Sequence, residues 1–136
     1  HGMMGIEVDD ETTDLYNYVI SRLNDYPLAY IHLTEPFTDV SKVDLAIKEV
    51  AKHFRKFYKG TIITNVRYTK ETANQVISSG DADLVAFGTL YIANPDLVER
   101  FKVDAPLNTP DKNTYYTPGE KGYTDYPKMN ESSKSI

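Results

Sequence analysis

The sequence predicts an α/β fold built on a parallel sheet, and two observations support this prediction. Short apolar segments alternate with longer amphipathic segments from residue 9 to residue 101. This order of helices and strands packs most simply as a parallel sheet with right-handed crossovers. Glycine, proline and asparagine also stand where these segments change, at positions typical of helix ends and helix starts.

Composition limits the classes of function. The 136 residues carry a net charge of −5 and contain no cysteine. The absence of a basic cluster argues against nucleic-acid binding. No apolar run reaches the ~18 residues of a membrane-spanning helix, and the first ten residues do not have the pattern of a signal peptide. Without cysteine there is no thiolate chemistry, so we expect a cytoplasmic protein without membrane contact.

The first helix is predicted over residues 9–25. Acidic and hydroxyl residues open it, where the helix dipole favours them. Apolar residues follow at helical spacing, namely Leu15, Tyr16, Val19, Ile20 and Leu23. Pro27 ends this helix, and the nearly continuous apolar run over residues 28–33 predicts a strand covered on both faces.

A second helix is predicted to begin at Ser41, with Asp44 three residues further on as a weak capping signal. Its apolar stripe consists of Val43, Ala46, Ile47, Val50, Ala51 and Phe54. Gly60 is expected to end the helix, and residues 61–64 are predicted to form the second strand.

The third helix repeats this plan over a shorter length. Thr69 is the expected N-cap, and Ala73, Val76 and Ile77 are expected to face inward. Gly80 is expected to adopt the left-handed conformation that commonly follows a helix.

The run over residues 80–97 is the most informative part of the chain. It is interpreted as a helix end, a buried strand over residues 84–87, a glycine corner at Gly88 and a new helix start. Parallel β/α barrels use this order where a loop leads to the ligand-binding face.

The last helix is predicted to begin with Asn94 as N-cap and Pro95 as the first helical residue. Leu97, Val98 and Phe101 are expected to be buried behind it. From about residue 102 the periodic pattern stops, and a proline- and glycine-rich tail follows. It is expected to wrap on a surface, because its aromatic side chains need burial; these are Tyr115, Tyr116, Tyr123 and Tyr126.

Several separated motifs resemble the old yellow enzyme family. Residues 28–36, 60–65 and 82–88 resemble the sixth, seventh and eighth strands of its barrel. The segments similar to its final helix and closing tail are residues 94–101, 105–108 and 122–127. The resemblance implies the C-terminal portion of a TIM (β/α)8 barrel, about three β/α units, over residues 1–129, with residues 130–136 disordered. It also implies an FMN-dependent oxidoreductase that uses NAD(P)H.

The resemblance implies cofactor-binding residues in the loops after the seventh and eighth strands. The matching positions are Asn65, Val66, Arg67, Gly88 and Thr89. Backbone N–H groups at such positions suit the FMN phosphate. Val66 replaces the glycine usual in the family, and Thr89 replaces a lysine or arginine. Arg67 is a candidate for the missing charge, or else a solvated loop cation.

Other candidate residues have two interpretations each. Tyr116 matches a family position that lines the substrate side of the flavin, and Phe37, after the sixth strand, is a second candidate for that role. Both are also explained as packing aromatics of an irregular loop, which is the favoured interpretation. His32 is interpreted as a hydrogen-bonded core histidine rather than a catalytic one. Glu35 is interpreted as an acceptor of backbone N–H bonds that holds its loop rather than as an acid or base. No catalytic residue and no metal ligand is assigned.

The implied activity is reduction of an enone or another activated alkene, or of a nitro compound, and we expect the chain alone to be inactive. The alternative is a non-catalytic degenerate half-barrel that acts as an oligomerisation or interaction module. Three strands cannot close a barrel, so Tyr30, Ile31, Ile63 and Val85 are expected to point toward an uncovered axis. We therefore expect a homo-oligomer, or a missing N-terminal half-barrel as partner.

Overall fold

The computed structural model describes residues 7–129 and divides into two compact units, one ending at Ala86 and one beginning at Phe87. The predicted disordered tail over residues 130–136 lies outside the described residues. The helices and strands are α1 (Thr12–Arg22), β1 (Ile31–Thr34), α2 (Val50–Phe54), β2 (Ile62–Asn65), α3 (Lys70–Ser78), β3 (Leu84–Ala86), α4 (Thr89–Ala93) and α5 (Leu97–Lys102). Short 3-10 helices occur over Leu23–Asp25 and Lys112–Thr114.

The three strands form one parallel sheet in the order β1-β2-β3 within the first unit. Ile31 pairs with Ile62, and Leu33 pairs with Thr64. Thr64 also pairs with Val85 on the other side of β2. The predicted α/β class with parallel strands is confirmed.

The helices bury one face of this sheet. Because side chains alternate along a strand, Ile31, Ile62 and Thr64 lie on that face, and each is at most 7% exposed. The apolar cluster of this unit contains Ile20, Ile31, Ala51, Phe54, Tyr58, Ile62 and Ala82.

The opposite face of the sheet is open among residues 7–129. His32, Ile63 and Leu84 form one register row on this face. His32 is exposed and Leu84 is 52% exposed. The predictions of a strand covered on both faces over residues 28–33 and of a buried strand over residues 84–87 are therefore wrong.

Individual residues were also assigned to the wrong face. Ile31 and Val85 were expected to point toward the barrel axis, but they share the helix-covered face with the buried Ile62 and Thr64. A shift of one residue moves a side chain to the other face of a sheet, and an apolar run contains no polar alternation to fix that choice. For the same reason His32 is exposed and is not the predicted core histidine.

The second helix is much shorter than predicted. It spans Val50–Phe54, whereas the segment from Ser41 to Glu49 forms turns. The N–H of Val43 donates to the carbonyl of the buried Val40 at 3.0 Å. The N–H of Ser41 donates to Asp39 Oδ1, and Ser41 is not the N-cap of a helix. These turns replace the helix that the apolar stripe predicted.

The third helix follows the prediction more closely. Thr69 is its N-cap and accepts the N–H of Thr72 at 3.3 Å. Ala73 is buried, but Ile77 is 43% exposed, so the expected inward face is narrower than predicted. Gly80 has a φ of 78°, which confirms the left-handed position after the helix.

In the second unit, the helix predicted to begin at Asn94 instead begins at Leu97, with Asp96 as N-cap. Asn94 ends an additional helix, α4, that follows Gly88 directly. Leu97 is fully buried, whereas Val98 is 49% exposed. Asn94 is buried because its amide group bonds to the tail, so its side chain is not available as a cap.

Side-chain hydrogen bonds connect the tail to the helices of the second unit. The Asn108 N–H donates to Asn94 Oδ1 at 2.7 Å, and the Asn108 side chain donates to the carbonyls of Ala93 and Pro127. Tyr116 is 99% exposed and Tyr123 is 50% exposed. The expected burial of the tail aromatics is therefore wrong for these two residues.

Arg100 is a second connection to the tail. Its side chain is 5% exposed and donates to Asp96 Oδ1 at 2.7 Å. It also donates to the carbonyls of Pro106 at 2.5 Å and Pro127 at 3.0 Å. One buried guanidinium thus connects α5 to two points of the tail that are 21 residues apart.

Candidate functional site

The residues that follow β1 and β2 line a cavity of about 580 Å³ in the first unit. Glu35 follows β1, and Val66 and Arg67 follow β2. Because both strands are parallel, their carboxyl ends meet at the same edge of the sheet. The remaining walls include α2 and α3, with Lys52 and Gln75 among the lining residues.

Glu35 caps α2 from a distance in the sequence. Its Oε2 accepts the N–H of Val50 at 2.7 Å, and its Oε1 accepts the N–H of Ala51 at 2.9 Å. Carboxylates are favourable at helix N-termini, where backbone N–H groups lack partners. The interpretation of Glu35 as an acceptor of backbone N–H bonds is confirmed, and it explains why α2 begins at Val50.

Val66 and Arg67 form a strained turn directly after β2. Their φ angles are 79° and 62°, in the left-handed region that favours glycine. A β-branched residue is rare there. Within residues 7–129, the Arg67 N–H donates no hydrogen bond to a turn, loop or side-chain acceptor. The turn therefore offers the Arg67 N–H as a free donor, and turns of this kind bind anions.

The Arg67 side chain belongs to the cavity of the first unit. Hydrogen bonds from Ser41, and to a smaller extent the Arg67 charge, hold the pKa of Asp39 below its usual value. Asp39 and Arg67 both line the cavity. The backbone of Arg67 and its guanidinium are thus two separate candidates for an anion contact.

Asn65, the last residue of β2, has a buried oxygen without a partner. Among residues 7–129, no hydrogen-bond donor is found for its Oδ1. Asn65 pairs with Thr34 and Ala86, which places it on the open face of the sheet. Because a buried acceptor without a donor is costly, this oxygen is suited to an N–H or O–H group supplied from outside the described residues.

Gly88 and Thr89 lie in the second unit, at the start of α4. A Cβ atom added to Gly88 would meet nothing within 4 Å. Gly88 also lines a cavity of about 530 Å³, whose other lining residues are Tyr91, Ile92, Pro95, Tyr123, Thr124 and Tyr126. The structure thus places Gly88 at an open, aromatic-lined surface.

The two predicted substrate-lining residues are both accessible. Phe37 is 47% exposed in the first unit, and Tyr116 is 99% exposed in the second. Neither is a packing residue of a closed core. Their role toward a substrate stays a prediction.

Two residues of this region were missed at the level of sequence. Thr64 is fully buried and lies 3.4 Å from both Glu35 Oε1 and the Tyr68 hydroxyl. The Tyr68 hydroxyl also lies 3.5 Å from Glu35 Oε1. A threonine inside an otherwise apolar strand was the available signal, because a buried hydroxyl needs a partner.

No group of three or more His, Asp or Glu residues that could hold a metal ion occurs among residues 7–129. The helices within that same range include none with the length and apolar character needed to cross a membrane.

Comparison with known proteins agrees with this geometry. Residues 2–108 match the profile described as "NADH:flavin oxidoreductase / NADH oxidase family". The chain is 42% identical over 130 residues to putative 12-oxophytodienoate reductase 5 of Oryza sativa subsp. japonica. It is 38% identical over 117 residues to 12-oxophytodienoate reductase 2 of Arabidopsis thaliana. These alignments cover 94% and 85% of this chain but 35% and 31% of the relatives.

Solved structures give the same result. The old yellow enzyme from Trypanosoma cruzi matches with a TM-score of 0.78 and 41% identity, over 90% of this chain and 32% of that chain. Morphinone reductase matches with a TM-score of 0.79 and 36% identity, over 95% of this chain and 34% of that chain.

The fold is thus a portion of a parallel β/α barrel of the flavin oxidoreductase class. The chain belongs to the NADH:flavin oxidoreductase family, the family of the old yellow enzymes. It spans about a third of the length of the relatives that it matches.

Proposed function

We propose that the chain supplies the phosphate-binding end of an FMN site in an NAD(P)H-dependent oxidoreductase. The proposed substrates are enones and other activated alkenes, or nitro compounds. The observation that carries this proposal is the turn at Val66 and Arg67, where the Arg67 N–H lacks an acceptor among residues 7–129 and Arg67 also lines the cavity of the first unit. Family membership supports the same assignment.

The residues present fit the phosphate end of FMN. A phosphate dianion needs several N–H or O–H donors, and the Val66–Arg67 turn together with the Arg67 guanidinium is the candidate in the first unit. Gly88 and Thr89, in the second unit, stay cofactor-binding positions proposed from family membership. The unpaired Oδ1 of Asn65 suits a hydroxyl or N–H group of the ligand and not its phosphate.

FMN, when bound, transfers hydride from a nicotinamide to the acceptor substrate. The proposed part of this chain is to bind and orient the cofactor. Phe37 and Tyr116 are proposed to contact the substrate. No residue of this chain is proposed to donate the proton, so we expect the chain alone to give no turnover. The cytoplasmic location stays a prediction.

The experiment is a comparison of FMN with riboflavin, which lacks the phosphate. We expect the fluorescence of each flavin to be quenched as the chain is added. The dissociation constant for FMN should be about tenfold lower than that for riboflavin, and added salt should reduce the difference between the two constants. Arg67→Gln should lower the affinity for FMN alone, because it removes the cation at the proposed phosphate position. Arg22→Gln, at an exposed arginine of α1, is the matched control. Equal binding of both flavins, or binding of neither, would contradict the proposal.

A second candidate function has its own supporting observation. The open face of the sheet exposes Leu84 by 52%, and Tyr30, just before β1, is 53% exposed. Burying one large apolar side chain contributes about 1.5–3 kcal/mol. A partner that covers this face would therefore gain several kcal/mol of favourable free energy from apolar burial. We propose that the face pairs with a second copy or with the remainder of a barrel. Light scattering tests the first possibility: a monomer at micromolar concentration that is unaffected by Leu84→Glu would exclude self-association.

A further inference from the structure

We propose that Glu35 is a positioning residue that holds the Val66–Arg67 turn in its anion-binding conformation. The inference rests on the proposed function and names the group that controls the proposed phosphate contact. Glu35 itself is not required to touch the ligand.

The carboxylate of Glu35 is fixed in place by α2. Its two oxygens accept the N–H groups of Val50 and Ala51 at 2.7 Å and 2.9 Å. Both distances are typical of hydrogen bonds to an ionised carboxylate. Glu35 is therefore an acceptor whose position is set by a helix start and not by the turn after β2.

The same carboxylate reaches the residues on either side of the turn. Thr64 Oγ1 and the Tyr68 hydroxyl donate to Glu35 Oε1 at 3.4 Å and 3.5 Å. The two hydroxyl oxygens are 3.4 Å apart. Thr64 lies two residues before Val66, and Tyr68 directly follows Arg67. The three side chains thus form a closed triangle whose two hydroxyl members bracket the turn.

The turn needs such support because its backbone is strained. A left-handed conformation costs a residue other than glycine free energy, and it persists only where the surroundings impose it. Val66 and Arg67 are both in this conformation. Burial, assisted by the Glu35 charge, raises the pKa of Tyr68 despite the opposing bond to Thr64, so the phenol stays protonated and remains a donor.

The test removes the hydroxyl groups one at a time in the full 136-residue chain. Tyr68→Phe and Thr64→Val keep the side-chain volume and leave the two bonds from Glu35 to α2 intact. Tyr18→Phe, at a 65% exposed tyrosine on α1, is the matched control. Two quantities are measured: the ratio of riboflavin to FMN dissociation constants, and the backbone chemical shifts of Val66 and Arg67 without ligand, which depend on their φ angles.

We expect Tyr68→Phe to weaken FMN binding about fivefold, the effect of losing one hydrogen bond, with riboflavin binding unchanged. The backbone chemical shifts of Val66 and Arg67 should move away from values typical of left-handed φ angles in Tyr68→Phe and Thr64→Val but not in Tyr18→Phe. A merely structural role would weaken both flavins alike.

The two proposals fail in different ways. If the unsubstituted chain binds neither flavin, the proposed function fails, and the chemical shifts alone decide the role of Glu35. If the backbone chemical shifts of Val66 and Arg67 are the same in all variants, the positioning role is refuted, whether or not FMN binds.

Discussion

Replacing Arg100 by alanine is expected to destabilise the second unit more than any exposed substitution in α5. Arg100 is 5% exposed, and its side chain donates to Asp96 and to the carbonyls of Pro106 and Pro127. Alanine leaves the Asp96 carboxylate, itself 11% exposed, without its cation. Removing one partner of a buried ion pair costs about 3–5 kcal/mol, which is the expected loss in the free energy of unfolding.

The matched control is Lys102→Ala, two residues further along the same helix. Lys102 pairs with Glu99 at 2.8 Å, but both side chains are about 60% exposed, with 63% and 59% of their surface accessible. Exposed pairs contribute about 0–1 kcal/mol. Urea unfolding followed by circular dichroism gives the free energy of each variant, and hydrogen exchange of the α5 amides confirms that the loss is located there. The reasoning is refuted if Arg100→Ala costs no more than Lys102→Ala.

Three further predictions concern the first unit. Gly60→Ala should cost about 1–3 kcal/mol, because an added Cβ would lie 2.6 Å from the hydroxyl oxygen of the buried Tyr58; an unchanged urea midpoint would contradict this. Thr69→Ala should lose about 1 kcal/mol from the N-cap of α3, measurable as a lower free energy of unfolding. Burial, with a smaller effect of Lys56, lowers the pKa of His53. The contribution of neutral His53 to stability is therefore fully present above about pH 6.5, the pKa of histidine in the unfolded chain. This contribution is lost as the pH falls through the lower pKa of His53 in the folded protein. Unfolding free energies between pH 7.5 and 5.5 should decline less steeply in His53→Gln, and identical slopes would count against this assignment.

The order of elements was predictable because several boundaries have a local cause. Thr69 and Gly80 act within a few residues of their own position, as a helix cap and as a left-handed residue, and both behave as predicted. The parallel sheet follows from this order, since consecutive strands joined by helices have little choice of topology.

The failures share a different cause, which is interaction between distant residues. Residues 41–49 have the composition of a helix, but the cap that starts α2 is Glu35, 15 residues before Val50. Asn94 looks like a helix cap, but it bonds to Asn108, 14 residues later. Neither partner can be identified from local periodicity, because its contribution depends on the fold being formed already.

The candidate site was predictable only in part. The positions of Asn65, Val66 and Arg67 after a strand follow from the sequence pattern. The left-handed conformation of Val66 does not, because local propensity disfavours it in a β-branched residue. Backbone strain of this kind is retained where surrounding contacts impose it, and those contacts, from Thr64 and Tyr68, become visible only in the structure.

The two carbonyls bound by Arg100 have a consequence for how the tail can change over evolution. Pro106 and Pro127 are both held by the same guanidinium, so the ends of the intervening segment stay fixed whatever its length. Lengthening a closed loop costs little, about 0.6 kcal/mol for each doubling. Insertions and substitutions around Tyr116 can therefore accumulate without loosening α5. Change in this exposed segment is thus tolerated while the supporting helix stays the same.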